Sequence, residues 1–159
     1  MKKKLCLILL GIICLMSVLA GCSGGATNDA SDERTAVCFI VGRHANSKGL
    51  NMNSPLVQDT IYSTVRGYGF ISVVCADGQP EVIHAANYDI DGKYKHASKE
   101  KLDMEARTKA TNIIMSMQSI VANDAEVDYL EALRLAVRTL SSLEGYDSKK
   151  IVVLGTGLS

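Results

Sequence analysis

Apolar and polar residues fall along this chain in blocks whose periods predict its elements. Ala36 to Val41 is a continuous apolar run closed by Gly42, the pattern of a strand buried on both faces. Gly42 to Asn53 is polar and predicts a loop. Ser54-Pro55 then opens a helix, with serine as cap and proline in the first turn. This helix carries Leu56, Val57, Ile61 and Val65 and stops at Gly67. Phe70 to Ala76 is a second apolar run, Asp77-Gly78 reads as a hairpin-type turn, and Glu81 to Ala86 predicts a third strand antiparallel to the second. From Ser98 to Val121 the apolar positions 102, 106, 110, 113, 117 and 120 mark one face of a long helix. Asn123-Asp124 breaks it, and Asp128 to Leu143 repeats the period with Leu130, Leu133, Val137 and Leu140, ending at Gly145. Ile151 to Leu154 reads as a fourth buried strand, and Gly155 to Ser159 follow it.

The order β-α-β-β-α-α-β predicts an α/β fold: an open, mostly parallel sheet with helices on both faces and ligands at the carboxyl ends of the strands. The last strand lacks a following helix, so the sheet is expected to be incomplete at the C-terminus.

Ahead of these elements stands a different pattern. Lys2, Lys3 and Lys4 precede an uncharged apolar run from Leu5 to Leu19, about 15 residues long, and Ala20-Gly21-Cys22 closes it. A basic start, a short apolar middle and small residues at the end form a secretory signal. The run is short of the roughly 20 residues of a spanning helix. Leu19-Ala20-Gly21-Cys22 resembles the lipobox of bacterial lipoproteins. That resemblance implies cleavage before Cys22, acylation of its sulfur, and anchoring in membrane lipid. Two or three acyl chains, at about 0.8 kcal/mol per buried CH₂, hold a protein durably. The expected location is extracytoplasmic, on the outer face of the cell membrane or on an outer membrane if the host has one. Ser23 stands where inner-membrane retention would need aspartate. The domain plan is thus residues 1–21 as signal, 22–35 as lipidated cysteine and flexible tether, and 36–159 as the α/β domain. The tether is small and polar, with an average reach of roughly 19 Å.

Charge and cysteines refine this picture. The chain carries 17 basic and 17 acidic residues; removing 1–21 takes three lysines and no acids, a net of about −3. No basic cluster remains to predict a nucleic-acid partner. Cys6 and Cys14 leave with the signal and Cys22 takes the lipid, so Cys38 and Cys75 are the remaining pair. On level parallel strands they are offset by about three residues, roughly 10 Å. That exceeds the usual Cα separation of a disulfide, about 4.4–6.8 Å, and predicts free thiols.

Val37 to Val41, the paired runs 70–76 and 81–86, Asp128 to Leu133, and Ile151 to Gly157 together resemble the first two-thirds of a von Willebrand factor A-type domain. More closely, His44-Ala45-Asn46, Asn53-Ser54-Pro55 and Gly155-Thr156-Gly157-Leu158-Ser159 resemble a group of clostridial envelope lipoproteins with such a domain. Relatives of that group often continue into an OmpA-like peptidoglycan-binding domain, and the resemblance implies a C-terminally truncated member. The family's metal-ion-dependent adhesion site uses Asp-x-Ser-x-Ser after the first strand, a threonine before the last long helix and an aspartate after the fourth strand. Hard cations need such oxygen ligands. Here those places fall on Gly42, His44 and Asn46, near Val127, and on Thr156, with no carboxylate among them. The expectation is a scaffold without metal or cofactor.

Competing chemistry is thin. Arg43-His44 after a buried strand is similar to the start of histidine phosphatases, but Ala45 replaces the glycine and no second histidine follows the fourth strand. Asn87-x-Asp89-x-Asp91-Gly92 imitates a calcium loop, yet its twelfth position is Ser98 and Glu100 comes two residues late. His84 has no carboxylate or cysteine at ligand spacing. Ser47, Ser54 and Ser159 have no identifiable base. The reading is therefore a lipid-anchored binding or scaffolding module, not an enzyme, with a histidine-phosphatase-like hydrolase using His44 as the alternative. The candidate binding loops carry Arg43, His44, Asn46 and Ser47 after the first strand, and Gly155, Thr156, Gly157 and Ser159 after the fourth. The expected partner is an envelope protein or a peptidoglycan-associated one.

Overall fold

The computed structural model describes residues 33–42, 52–88, 97–120 and 126–155. The expected signal (1–21), Cys22 with its expected lipid, most of the expected tether, the expected break at Asn123-Asp124 and residues 89–96 lie outside the described residues. Strands β1 (Thr35–Gly42), β2 (Phe70–Cys75), β3 (Glu81–Asn87) and β4 (Ser148–Gly155) form one sheet in the order β3-β2-β1-β4. β1 pairs parallel with β2 and β4, and β2 pairs antiparallel with β3. Helices α1 (Pro55–Arg66) and α2 (Lys99–Gln118) cover one face, and α3 (Tyr129–Ser141) covers the other. The fold is an open, mixed α/β sheet.

β1 and β2 read as unbroken apolar runs because both of their faces are covered. Val37, Phe39, Val41, Ile71 and Val73 face α1 and α2, while Ala36, Cys38, Ile40, Phe70 and Val74 face α3. Cys38 is level with Ser72, and Cys75 with Val41. The cysteines are therefore three positions apart on opposite faces, and both are free. Ser72 is fully buried, and among the described residues its hydroxyl has only the Cys38 thiol, a weak partner, beside it.

Ser98 caps α2 by accepting from Lys101 N at 3.4 Å, and the helix buries Ala106, Ala110, Ile113 and Met117 as its period predicts. Ser54 is extended, as a cap should be, but its side chain makes no capping bond; its carbonyl accepts from Val57 and Gln58 N. The two helices are clamped by Arg66 Nε donating to Asp103 Oδ1 at 2.6 Å. This hydrogen bond holds the Asp103 carboxyl below the usual carboxylate range. A depressed folded-state value means stability that is present above the ordinary range and lost as pH falls through the depressed value. Asp103→Asn should therefore lower the urea midpoint at pH 7, and the gap to wild type should close as pH is taken well below about 4. A gap that stays constant with pH contradicts this.

Four expectations are corrected. Leu56 is 71% exposed, one residue round the helix from the core. The 42–53 segment is not wholly a polar loop, because Met52 is buried in the core beneath α1. Asp77-Gly78 is not a two-residue hairpin: five residues join β2 to β3, with Gly78 at positive φ and a register shift at Val73/Val74. β4 is not buried on both faces; among the described residues it is the outermost strand beyond β1, with Val153 57% exposed.

The fifth correction concerns α3. It buries Ala132, Ala136 and Leu140 and leaves Leu130, Leu133 and Val137 exposed. Period 3.6 allows either stripe. Alanines lie on the sheet because they let the helix axis come close to Ala36, Cys38 and Ile40, and the larger side chains are turned to one flank.

Candidate functional site at the carboxyl ends of β1 and β4

The chain steps from β1 to β2 on one side and later adds β4 on the other side of β1. α1 and α3 depart to opposite faces. The sheet's topological switch point therefore lies between β1 and β4, where open α/β sheets form their ligand crevice at the strands' carboxyl ends. The last residues of the two strands, Gly42 and Gly155, are register partners. Of the nominated residues, Gly155 is described and sits at this point. Arg43, His44, Asn46, Ser47, Thr156, Gly157 and Ser159 lie outside the described residues.

Tyr129 occupies the crevice. Its ring lies so close over Gly42 that a side-chain carbon there would collide with Oη, Cζ and Cε1. A carbon at Gly155 would collide with the hydroxyl, with Cζ 3.3 Å away. Neither strand end can carry a side chain without moving the tyrosine. Three backbone links fix that placement. Ala76 N donates to Val41 O at 2.9 Å, Asp128 N donates to Ala76 O at 2.9 Å, and Gly78 N donates to Glu126 O at 3.1 Å. Val127 forms an isolated antiparallel bridge with Asp77. Asp128 then caps α3, its Oδ1 accepting from Glu131 N at 2.9 Å, and Tyr129 is the first helical residue. The helix start is thus stitched to the end of β2 and swung over β1 and β4.

Burial pushes the Tyr129 phenol above its ordinary pKa, so it serves as a neutral hydroxyl rather than a phenolate. Cys75, at the end of β2, is also pushed up by burial, against the pull of the Asp77 backbone hydrogen bond. It is a thiol at neutral pH and no activated nucleophile. Asp128 has its carboxylate committed to the helix cap. Among the described residues no three of His, Cys, Asp and Glu converge on a point that could hold a metal ion. His84 lies on β3, separated from this crevice by β2 and β1. Its Nε2 is 3.1 Å from Tyr88 Oη, and burial lowers its pKa, which keeps it neutral at pH 7.

No protein-family model, no curated protein and no solved structure matches this chain. No described helix is long and apolar enough to cross a membrane.

Sequence reasoning expected ligands at the carboxyl ends of the strands and missed Tyr129. A signal was present: glycine ends both strands, and a strand end that tolerates only glycine has something lying close above it. Which residue that is depends on where α3 starts in space, and periodicity carries no information on that.

Proposed function

We propose that this chain is a lipid-anchored, extracytoplasmic binding or scaffolding module on a von Willebrand factor A-like sheet. Cys22 anchors it in membrane lipid, and Arg43 to Ser47 with Gly155 to Ser159 form the surface that meets a polar partner. The observation that supports the reading is the register pairing of Gly42 with Gly155, the two strand ends from which the proposed loops start. Backbone N–H groups, the Asn46 amide, hydroxyls and Tyr129 Oη supply hydrogen bonds there without a cation. The places where the resemblance would put a metal-ion-dependent adhesion site hold no carboxylate. The resemblance also implies further strands beyond β4 in longer relatives, and an envelope protein or a peptidoglycan-associated one as partner.

Two experiments test this. Feeding cells an alkyne fatty acid should label the wild-type protein and leave Cys22→Ala unlabelled; equal labelling defeats the anchoring. A photo-crosslinking residue at Ser47 should trap a discrete envelope adduct in cells, while the same residue at the exposed Glu100 on α2 should not. Identical adducts at both positions remove the case for these loops. The hydrolase alternative predicts that His44→Ala loses at least a hundredfold of phosphate-ester hydrolysis; the binding reading predicts no change from wild type.

A further inference from the structure

Of the six methionines, Met1 and Met16 fall in the expected signal, and Met52, Met104, Met115 and Met117 remain. The fold divides these four into two opposite pairs. Met52 and Met117 are each 1% exposed and belong to the core cluster that α1 and α2 close over the sheet. Met104 and Met115 are 65% and 60% exposed. Both lie on α2, off the face that buries Ala106, Ala110, Ile113 and Met117. Eleven residues make about three helical turns, so the two exposed thioethers stand on one side of the helix, roughly 16 Å apart.

Thr108 and Thr111 stand between them on the same side. Thr108 Oγ1 donates to Met104 O and Thr111 Oγ1 to Arg107 O, each at 2.9 Å. Their donors are spent on the helix's own carbonyls, which leaves the two sulfurs as the reactive groups of this stripe. The thiols of the domain compete poorly. Cys38 is fully buried and Cys75 half-buried, and burial pushes both thiols up. The thiolate is the form that peroxides attack, so both cysteines are held in their slow form. A thioether has no proton to lose, and access alone sets its rate.

We propose that Met104 and Met115 form a paired oxidation site, the place where the folded chain takes up oxygen from peroxide-class oxidants. One peroxide oxygen transfers to the sulfur: an S–O bond forms, the O–O bond breaks, and the other oxygen leaves as water with both protons. The sulfur is oxidised by two electrons and the peroxide is reduced by two. A dithiol reductant reverses the step, returning thioether and water and itself becoming a disulfide. The stripe changes from apolar to polar, and the fold is untouched because both side chains already stand in water. Oxygen on Met52 or Met117 would instead place a polar group in the core without a partner. This chemistry is independent of the binding reading and of where the chain is anchored.

Hydrogen peroxide added to the full chain in detergent, followed by peptide mass mapping over time, tests this. Met104 and Met115 should each gain one oxygen at least about tenfold faster than Met52 and Met117. The thermal melt by circular dichroism should move by no more than about 2 °C once both are oxidised. In denaturing guanidinium the four rates should converge, since only the fold separates them. With Met104→Leu and Met115→Leu combined, the native chain should show no oxygen on Met52 or Met117 over the same time. A smaller gap between the two pairs overturns the proposal, as does a larger fall in the melt. Cys75 oxidised ahead of both methionines, or a gap that persists in guanidinium, overturns it equally.

Discussion

Replacing Phe39 by alanine should destabilise the protein by about 3–5 kcal/mol, the range for emptying a buried phenylalanine site. Phe39 has no exposure and lies in the middle of β1, the strand that pairs on both sides. Its ring packs in the cluster built from α1, α2 and the facing sheet. The site cannot collapse easily, because its walls are a hydrogen-bonded sheet and two helices pinned to each other through Arg66 and Asp103. For a domain of this size each kcal/mol shifts the melting temperature by roughly 4 °C, so a fall of about 15 °C is expected by circular dichroism. Against a typical total stability of 5–15 kcal/mol, the variant should be partly unfolded at growth temperature. Leu56→Ala, on an exposed helix position, should shift the melt by no more than about 2 °C. Equal effects at the two positions would mean that β1 is not the centre of the core.

The second large effect is expected at the strand ends and separates two contacts of one side chain. Gly42→Ala should cost about 1–3 kcal/mol, the usual range for overpacking, because the new carbon meets Oη, Cζ and Cε1 of Tyr129 together. Gly155→Ala should cost less, since only the hydroxyl stands in the way and Cζ is 3.3 Å off. Neither glycine has positive φ, so the loss is steric and not a matter of backbone strain. The tyrosine variants then act differently. Tyr129→Phe removes the hydroxyl and should rescue Gly155→Ala almost completely, while leaving Gly42→Ala impaired. Tyr129→Ala should rescue both. Double-mutant cycles from thermal melts measure this coupling. Identical rescue by phenylalanine at both glycines would show that the ring does not lie over β1 as described.

Much of the architecture was legible because it rests on period and punctuation. The unbroken apolar runs 36–41 and 70–76 became the two central strands, and the steps 106, 110, 113 and 117 became the buried face of α2. The expectation that Cys38 and Cys75 stand apart assumed parallel strands starting level, and Ala36 is indeed level with Phe70. The reading failed where two solutions shared one period. In α3 the expected stripe 130/133/137/140 and the observed one 132/136/140 both satisfy helical spacing and share only Leu140, and side-chain size pointed to the wrong one. Closeness of approach between helix and sheet chose the alanines instead.

Local sequence determined the order of strands and helices, the caps Ser98 and Asp128, and the glycines that close β1 and β4, because these depend on neighbours a few residues away. The same local logic carries the expectation of residues 1–21 as a lipoprotein signal cut before Cys22, which stands apart from the fold. Only tertiary structure decided that β4 lies beside β1, that Met52 enters the core, and that Tyr129 rests on Gly42 and Gly155. Those contacts join residues as much as 113 positions apart, as in Arg34 N donating to Asp147 Oδ2. They are set by how close two packed layers can come, a quantity that no single stretch of chain contains.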